Sequence, residues 1–452
     1  MMKKALFKFM VTVTALHVSA FGSAAEGEAT ADLVARGRYL AVAGDCMACH
    51  TAQGGQPFVG GLAIGTPLGN IYSTNITPAQ GSGIGGYTLE DFQRALRQGV
   101  RKDGARLYPA MPYVSYATIT DEDVAALYAY FMKGVTPVDQ RGPQTALPFP
   151  FSVRMSMMGW NLLFARQKTF IPDPARSAQW NRGAYLAEGL AHCSTCHTPR
   201  NFLMAEKSGA ALAGASLGTW FAPNISSDPQ AGIGRWSQQD LVSYLTTGHA
   251  GNGSQAGGPM LEAINLSFSK MHVEDIEAMG TYIRSVPPQS ANAAPGQVPR
   301  QPPVLTDFAL AAGTSEEGAK LYDAHCATCH QPSGEGTRQL PALYGNAALS
   351  RRPNADNLVM ALLGGLAPHQ GQVMPAFDDV LNDAQVAALT NYLFATLGDA
   401  GVSTTANRVA QLREGGTPSS LLAVARVGVG LFAGLVLLVT VAVVMIYRRR
   451  RR

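Results

Sequence analysis

The pattern Cys-x-x-Cys-His occurs three times in this chain, as Cys46-Met47-Ala48-Cys49-His50, Cys193-Ser194-Thr195-Cys196-His197 and Cys326-Ala327-Thr328-Cys329-His330, and the three copies use all six cysteines. Two thiols one helical turn apart can add to the vinyl groups of a porphyrin while the adjoining imidazole reaches its iron, so the pattern reads as a c-type haem attachment site. Half of a structural zinc site also reads Cys-x-x-Cys, but zinc needs a second such pair or a spaced histidine pair. Here a histidine follows the second cysteine directly each time. Disulfide pairing would leave the three repeated histidines unexplained. The expectation is three covalently bound haem c groups on Cys46 and Cys49, Cys193 and Cys196, and Cys326 and Cys329, with His50, His197 and His330 as axial ligands.

At 452 residues the chain has room for three domains of about 150 residues, which agrees with the motif count. Its two ends are of a different kind. Lys3, Lys4 and Lys8 precede an apolar run from Phe9 to Phe21 and then Ser23-Ala24-Ala25, the layout of a secretory signal peptide over residues 1–25. Val427 to Tyr447 is a run of 21 residues without a charge, followed by five arginines, which reads as a transmembrane helix within 421–447 and a cytoplasmic basic tail at 448–452. Signal and tail agree on one topology, with the body of the protein on the periplasmic side of a bacterial inner membrane. The net charge of +4 misleads about partners, because eight of the 35 basic residues lie in those ends and the exported part carries 31 acids against 27 bases. No nucleic-acid surface is implied.

Internal repetition sets the expected architecture: all-α, with three tandem cytochrome c-type domains at 26–145, 175–286 and 313–399. A short helical pattern precedes each motif (Arg36-Gly37-Arg38-Tyr39-Leu40, Arg182-Gly183-Ala184-Tyr185-Leu186, Gly318-Ala319-Lys320-Leu321-Tyr322). A second helix, opened at Thr120, Glu274-Asp275 or Asn382-Asp383, closes each unit and carries Tyr130, Tyr282 or Tyr392 at matching places as packing residues. Units one and two share a further loop design. Asn75-Ile76-Thr77, Gly83-Ile84-Gly85 and Asp91-Phe92 reappear as Asn224-Ile225-Ser226, Gly232-Ile233-Gly234 and Asp240-Leu241, with the glycines expected where backbone comes close to a porphyrin. Residues 146–174 form a linker segment whose apolar stretch, Phe151 to Phe170, suits a partner, the bilayer surface or the first two units. Residues 287–312 and 400–420 read as tethers.

A haem that only passes electrons needs a second axial ligand, and methionine is the usual sulfur choice. Met111, Met260 and Met374 follow the haem histidines by 61, 63 and 44 residues, each with a proline beside it that stiffens the loop. His249, His272 and His369 are alternatives at no matching position, and His192 and His325 read as helix-surface residues. With methionine opposite histidine, the iron is six-coordinate and its potential is raised, which suits a one-electron relay. Arg97, Arg101, Lys102 and Arg200 are candidates for pairing with haem propionates, set against plain surface solvation.

From about Val34 to Leu397 the chain resembles the tri-haem cytochrome c subunits of bacterial membrane-bound alcohol, aldehyde, gluconate, sorbitol and fructose dehydrogenases. The likeness is carried most closely by Tyr72-Ser73-Thr74-Asn75-Ile76-Thr77, by Gly99-Val100-Arg101-Lys102-Asp103-Gly104 leading to Met111, and by Cys193 to Arg200. The resemblance implies a subunit without bond-making chemistry of its own. It would pass electrons from a separate catalytic subunit of pyrroloquinoline quinone, flavin or molybdenum type, with or without a small third subunit, through three haems to ubiquinone in the membrane. It carries the axial roles onto His50, Met111, His197, Met260, His330 and Met374. The hydrophobic C-terminal span, absent from some branches, leans the expected partner toward alcohol or aldehyde dehydrogenase. The alternatives are a multihaem peroxidase-type enzyme, which would leave one iron without its methionine, and a tethered carrier to a terminal oxidase.

Overall fold

The computed structural model describes residues 30–165, 168–251, 253–289, 316–337, 340–344, 346, 349, 354–417 and 420–451. The expected signal peptide and most of the 287–312 tether lie outside them. Helices make up about half of the chain. In order they are α1 (30–43), α2 (Cys46–His50), α3 (Leu89–Gln98), α4 (Tyr113–Tyr116), α5 (Asp121–Ala129), α6 (Ser156–Phe164), α7 (Ala178–Tyr185), α8 (Cys193–His197), α9 (Gln238–Thr247), α10 (Gly258–Leu266), α11 (Val273–Ile283), α12 (Glu316–His325), α13 (Ala327–His330), α14 (Asp356–Gly364), α15 (Asp383–Leu397), α16 (Ala406–Arg413) and α17 (Leu421–Arg450). Among the described residues two antiparallel hairpins interrupt them, β1 (Ala63–Thr66) with β2 (Gly69–Tyr72), and β3 (Ala215–Ser216) with β4 (Phe221–Ala222).

One helix crossing recurs around each motif. A Cβ at Gly37 would stand 1.9 Å from the Ala126 carbonyl oxygen, one at Gly183 1.9 Å from that of Ala278, and one at Gly318 2.5 Å from that of Ala388. Only glycine lets the helix before the motif (α1, α7, α12) lie this close on the closing helix (α5, α11, α15). Tyr130, Tyr282 and Tyr392 flank the contact, their Cβ atoms 2.7, 3.0 and 2.7 Å from the same points. The tyrosines therefore pack at the crossing as expected. The glycine inside each quoted pentapeptide is the residue that sequence reading passed over.

α3, α9 and α15 start where their caps dictate. Thr88, Ser237 and Asn382 each form a capping box, with Asp91, Asp240 and Gln385 returning the bond to the cap backbone. The recurring Asp91-Phe92 and Asp240-Leu241 are thus the third turn position of a cap followed by a core residue. α3 and α9 end at Gly99 and Gly248 with φ of 62° and 82°, the left-handed turn that glycine adopts without strain.

The core is divided unequally. One cluster runs through both of the first two units, from Leu40 and Phe131 to Leu186, Ile276 and Met279, while a second, built on Tyr322, Leu389 and Phe394, serves the third. The third unit docks on the second through paired amide bonds. Asn357 accepts from the Phe221 N–H at 2.7 Å and donates to its carbonyl at 2.9 Å, and Asn265 donates to the Ala367 carbonyl at 3.0 Å and accepts from the His369 N–H at 3.0 Å.

Two connecting segments have more structure than a tether. α6 lies across the first two units, where Asn161 accepts from the Tyr113 hydroxyl at 2.7 Å and Trp160 donates to the Leu203 carbonyl at 2.9 Å; Met155, Leu162 and Leu163 stay exposed. Residues 400–420 contain α16, capped by Thr405 and packed on the third unit through Val409 and Leu412, both buried. Arg408 anchors it to Asp356 at 2.6 Å. An apolar pair three residues apart behind a capping threonine was enough to turn a supposed tether into a helix. α17 has 30 residues, a mean hydropathy of 2.9 over its apolar window, and no burial within the protein, so it is long and apolar enough to cross a bilayer.

Candidate haem sites

Each Cys-x-x-Cys-His motif lies on a short helix entered by a sharp turn. In the first two copies the residue before the first cysteine has positive φ, 49° at Asp45 and 36° at His192. His192, expected on a helix surface, instead sits in this turn with its ring edge-on to Tyr116 at 5.7 Å, and burial pushes its pKa down to about 4. His325 is exposed beside Phe377, as a surface residue should be.

The motif histidines share one geometry. The Nδ1 atoms of His50, His197 and His330 lie 2.7, 2.7 and 3.0 Å from the backbone carbonyls of Thr74, Pro223 and Pro341. A carbonyl only accepts, so Nδ1 carries the hydrogen and donates it, and the lone pair is left on Nε2. This is the tautomer an iron ligand requires, oriented by the kind of outer partner that metal-bound histidines use. Burial also lowers the pKa of His50 and of His330, which keeps both imidazoles neutral.

Why those carbonyls are in place follows from the loop after them. The Asn75 side chain accepts from the Thr77 N–H and hydroxyl, both at 2.8 Å, and donates to the Val138 carbonyl at 2.8 Å. Asn224 repeats this with the Ser226 N–H and hydroxyl at 2.8 and 2.7 Å and the Gln289 carbonyl at 2.7 Å. The repeated Asn-Ile-Thr/Ser is therefore a clasp that fixes the carbonyl just before it. The glycines that follow serve the same loop. A Cβ at Gly83 or Gly232 would stand 2.1 or 2.3 Å from the Thr77 or Ser226 carbonyl oxygen, so the close approach is of the loop to its own backbone.

The cysteine sulfurs are free of disulfides. Burial pushes the thiols of Cys46, Cys49, Cys193 and Cys326 up to about 12, with neighbouring charge adding to it, and raises that of Cys196 as well. Among the described residues no cluster of histidine, cysteine and acidic side chains could hold a metal ion. The residues present fit a porphyrin: two sulfurs one turn apart and an imidazole whose lone pair is on Nε2. Bound there, a haem supplies a one-electron iron couple.

The methionines are less uniform than their spacing suggested. Met111 and Met260 rim the large core and Met374 the smaller one, all half-buried. Met111 lies in a turn before α4, whereas Met260 is in the first turn of α10, where Pro259 starts the helix instead of stiffening a loop. Met374 pairs with Leu366 by two backbone bonds of 2.9 Å. What unites them is the approach: each follows a helix ended by a glycine of positive φ (Gly99, Gly248, Gly365) and a loop closed by a single bridge, Val100 with Arg106, His249 with Gln255, and Leu366 with Met374.

The propionate candidates are already engaged. Arg97, buried, pairs with Asp121 at 2.6 Å and donates to the Ile119 carbonyl; Arg101 pairs with Asp103 at 2.9 Å; Lys102 donates to the Gly86 carbonyl. Arg200 donates to the Thr195 carbonyl inside the second motif at 2.8 Å, which makes it a brace of that motif. Of the alternative ligands, His272 stacks on Tyr39 at 4.3 Å and His369 turns its ring to Asn265, while His249 stands near Gly371 of the third unit.

A helix carrying two thiols and a histidine, folded under a closing helix at a glycine crossing, defines a c-type cytochrome, a protein that carries electrons on covalently bound haem. The cytochrome c family model matches residues 34–134 and 315–396. Along most of its length the chain is similar to the fructose dehydrogenase cytochrome subunit of Gluconobacter japonicus, at 44% identity over 89% of this chain and 87% of that one. The gluconate 2-dehydrogenase cytochrome c subunit of Pantoea cypripedii is 42% identical over 88% and 93%, and the cytochrome c subunit of the quinone alcohol dehydrogenase of Gluconobacter oxydans is 37% identical over 92% and 89%. The chain belongs to this family of dehydrogenase cytochrome c subunits, and its role is electron transfer.

Proposed function

We propose that this subunit carries three haems c, one in each of three tandem cytochrome c domains (26–145, 175–286 and 313–399). Cys46 and Cys49, Cys193 and Cys196, and Cys326 and Cys329 attach them, and His50 with Met111, His197 with Met260, and His330 with Met374 complete the irons. It takes electrons from a catalytic dehydrogenase subunit bearing pyrroloquinoline quinone, flavin or a molybdenum cofactor and delivers them to ubiquinone. α17 anchors it in the inner membrane, with the haem domains periplasmic and the arginines cytoplasmic, as the positive-inside rule requires. The observation that carries this reading is the threefold recurrence of a motif histidine whose Nδ1 is held by a carbonyl, 24, 26 and 11 residues further on. The leaning toward an alcohol or aldehyde partner has no further support, since the fructose and gluconate relatives are at least as similar as the alcohol one. The partner's substrate is therefore best described as a sugar, sugar acid or alcohol. The mass of the mature polypeptide tests the haem count: three haem additions support the reading and fewer overturn it. Purification from membranes tests the partner, because a tethered oxidase carrier would come away without a large cofactor-bearing subunit. A carbon monoxide-reactive haem in the native protein would point to peroxidase-type chemistry instead.

A further inference from the structure

Units one and two are joined by a reciprocal contact. In unit one, Arg36 pairs with Asp123 at 2.6 Å; in unit two, Arg182 pairs with Asp275 at 2.6 Å. Each of these carboxylates then accepts from a tyrosine of the other unit: Tyr39 donates to Asp275 at 2.5 Å, and Tyr185 donates to Asp123 at 2.6 Å. Each tyrosine oxygen in turn accepts the backbone N–H at the cap of the opposite closing helix, His272 for Tyr39 and Thr120 for Tyr185, both at 3.3 Å. The two halves are thus related by an approximate two-fold exchange. Asp123 and Asp275 are buried, at 3% and 9% exposure, where a hydrogen bond to a charged group counts most.

The same positions in unit three are different residues. Counted from the crossing glycine, Arg36, Tyr39 and Arg182, Tyr185 correspond to Glu317 and Lys320; counted from the crossing tyrosine, Asp123 and Asp275 correspond to Gln385. Lys320 pairs instead with Glu316 on its own helix at 2.6 Å. Unit three, built on the same crossing, lacks every member of the lock, so the crossing itself does not require it.

The lock lies on the helices that feed the motifs. Ser267 donates to the Val42 carbonyl at 2.6 Å on the approach to the first motif, and the connecting segment joins the junction where the Phe170 N–H donates to the Thr118 carbonyl at 2.9 Å and the Phe170 ring meets that of Tyr185 at 5.5 Å. A Cβ at Gly44 would meet Leu190 of the other unit at 3.5 Å and the Cys46 sulfur at 3.5 Å. A shift at this junction would move the two motifs relative to each other.

We propose that the Tyr39–Asp275 and Tyr185–Asp123 bonds are positioning contacts that hold the first and second haem sites in one fixed mutual geometry for electron exchange, while the third site docks separately. The inference rests on the haem reading above. Its test uses the full-length membrane-extracted chain carrying Tyr39→Phe and Tyr185→Phe, with each single variant beside it and Asp356→Asn as a control that breaks a buried ion pair in unit three. Haem count and midpoint potentials are measured first, and a wild-type chain with fewer than three haems would sink the haem reading independently of the lock. Amide hydrogen exchange at Thr120 and His272 is expected to accelerate in the double variant, by roughly tenfold for each lost bond to a charged group. After flash reduction, electron equilibration between the first two haems is expected to slow by roughly tenfold or more with potentials unchanged, the single variants falling between and the control equilibrating like wild type. Wild-type equilibration and wild-type exchange at those two amides in the double variant would overturn the proposal. A lower melting temperature with unchanged equilibration would also overturn it, reducing the bonds to a structural role.

Discussion

A motif histidine in this protein is defined as much by the carbonyl at its Nδ1 as by its two cysteines, because that bond decides which nitrogen faces iron. Loss of the thioethers should be separable from loss of the ligand. Cys193→Ser with Cys196→Ser is expected to reduce the attached haems from three to two by intact mass, leaving the other two spectra unchanged. Met374→Ala should instead keep the haem count, lower the potential of one haem and create a carbon monoxide-binding site, seen by redox titration and difference spectra. Protonation gives a third test at this scale. Burial alone would raise the Asp275 pKa, but the bonds from Arg182 and Tyr39 outweigh it and hold the carboxyl below the usual range. A group whose pKa is lower folded than unfolded adds stability above its unfolded value and loses it as pH falls through its folded one. The contribution of Asp275, read as the melting-temperature difference between the haem-loaded wild type and Asp275→Asn, should therefore be present at neutral pH and be lost as pH falls below about 4. Asp275→Asn should be less stable at neutral pH and show a shallower acid slope.

The decisive element is the crossing of two helices at a glycine. Its tolerance for a side chain is set by the distance to the facing carbonyl, 1.9 Å at Gly37 and Gly183 and 2.5 Å at Gly318. Gly183→Val should cost about 3 kcal/mol or more, by denaturant titration of the haem-loaded protein, because the backbones must separate. Gly318→Val should cost less, in keeping with its longer contact. The Asn-Ile-Thr/Ser clasps are smaller elements that set the Thr74 and Pro223 carbonyls in front of His50 and His197.

Taken whole, the molecule is asymmetric: a first and second unit that share a core, a third unit with its own core held by amide bonds, and an apolar helix that is not buried in the protein. Truncation after Thr417 removes α17 while keeping the Arg408–Asp356 and Arg413–Asp383 pairs that seat α16, both within 2.7 Å. That variant is expected to retain the haem spectrum and to leave the membrane fraction for the soluble one, scored by haem absorbance after ultracentrifugation. The exposed Met155, just before α6, and Leu162 and Leu163 on it are a second apolar surface, and residual membrane attachment of the truncated chain would be traced to it.

Much of this was written in the order of residues alone. The thiol-thiol-imidazole triplets, the charge-free run before the arginines, and the capping residues ahead of the first and third closing helices depend on neighbours in the chain, and local chemistry reads them directly. What the sequence could not state was anything requiring two distant segments to meet: the carbonyls of Thr74, Pro223 and Pro341, the glycine crossings, the engagement of Arg97 by Asp121, or the docking of α16. The tyrosine lock shows the reason most clearly. Tyr39 and Asp275 are 236 positions apart, each looks like an ordinary helix residue, and only the fold brings a hydroxyl to a buried carboxylate. Spacing along a helix is fixed by backbone geometry, but contacts between units exist only once both have folded and excluded water between them.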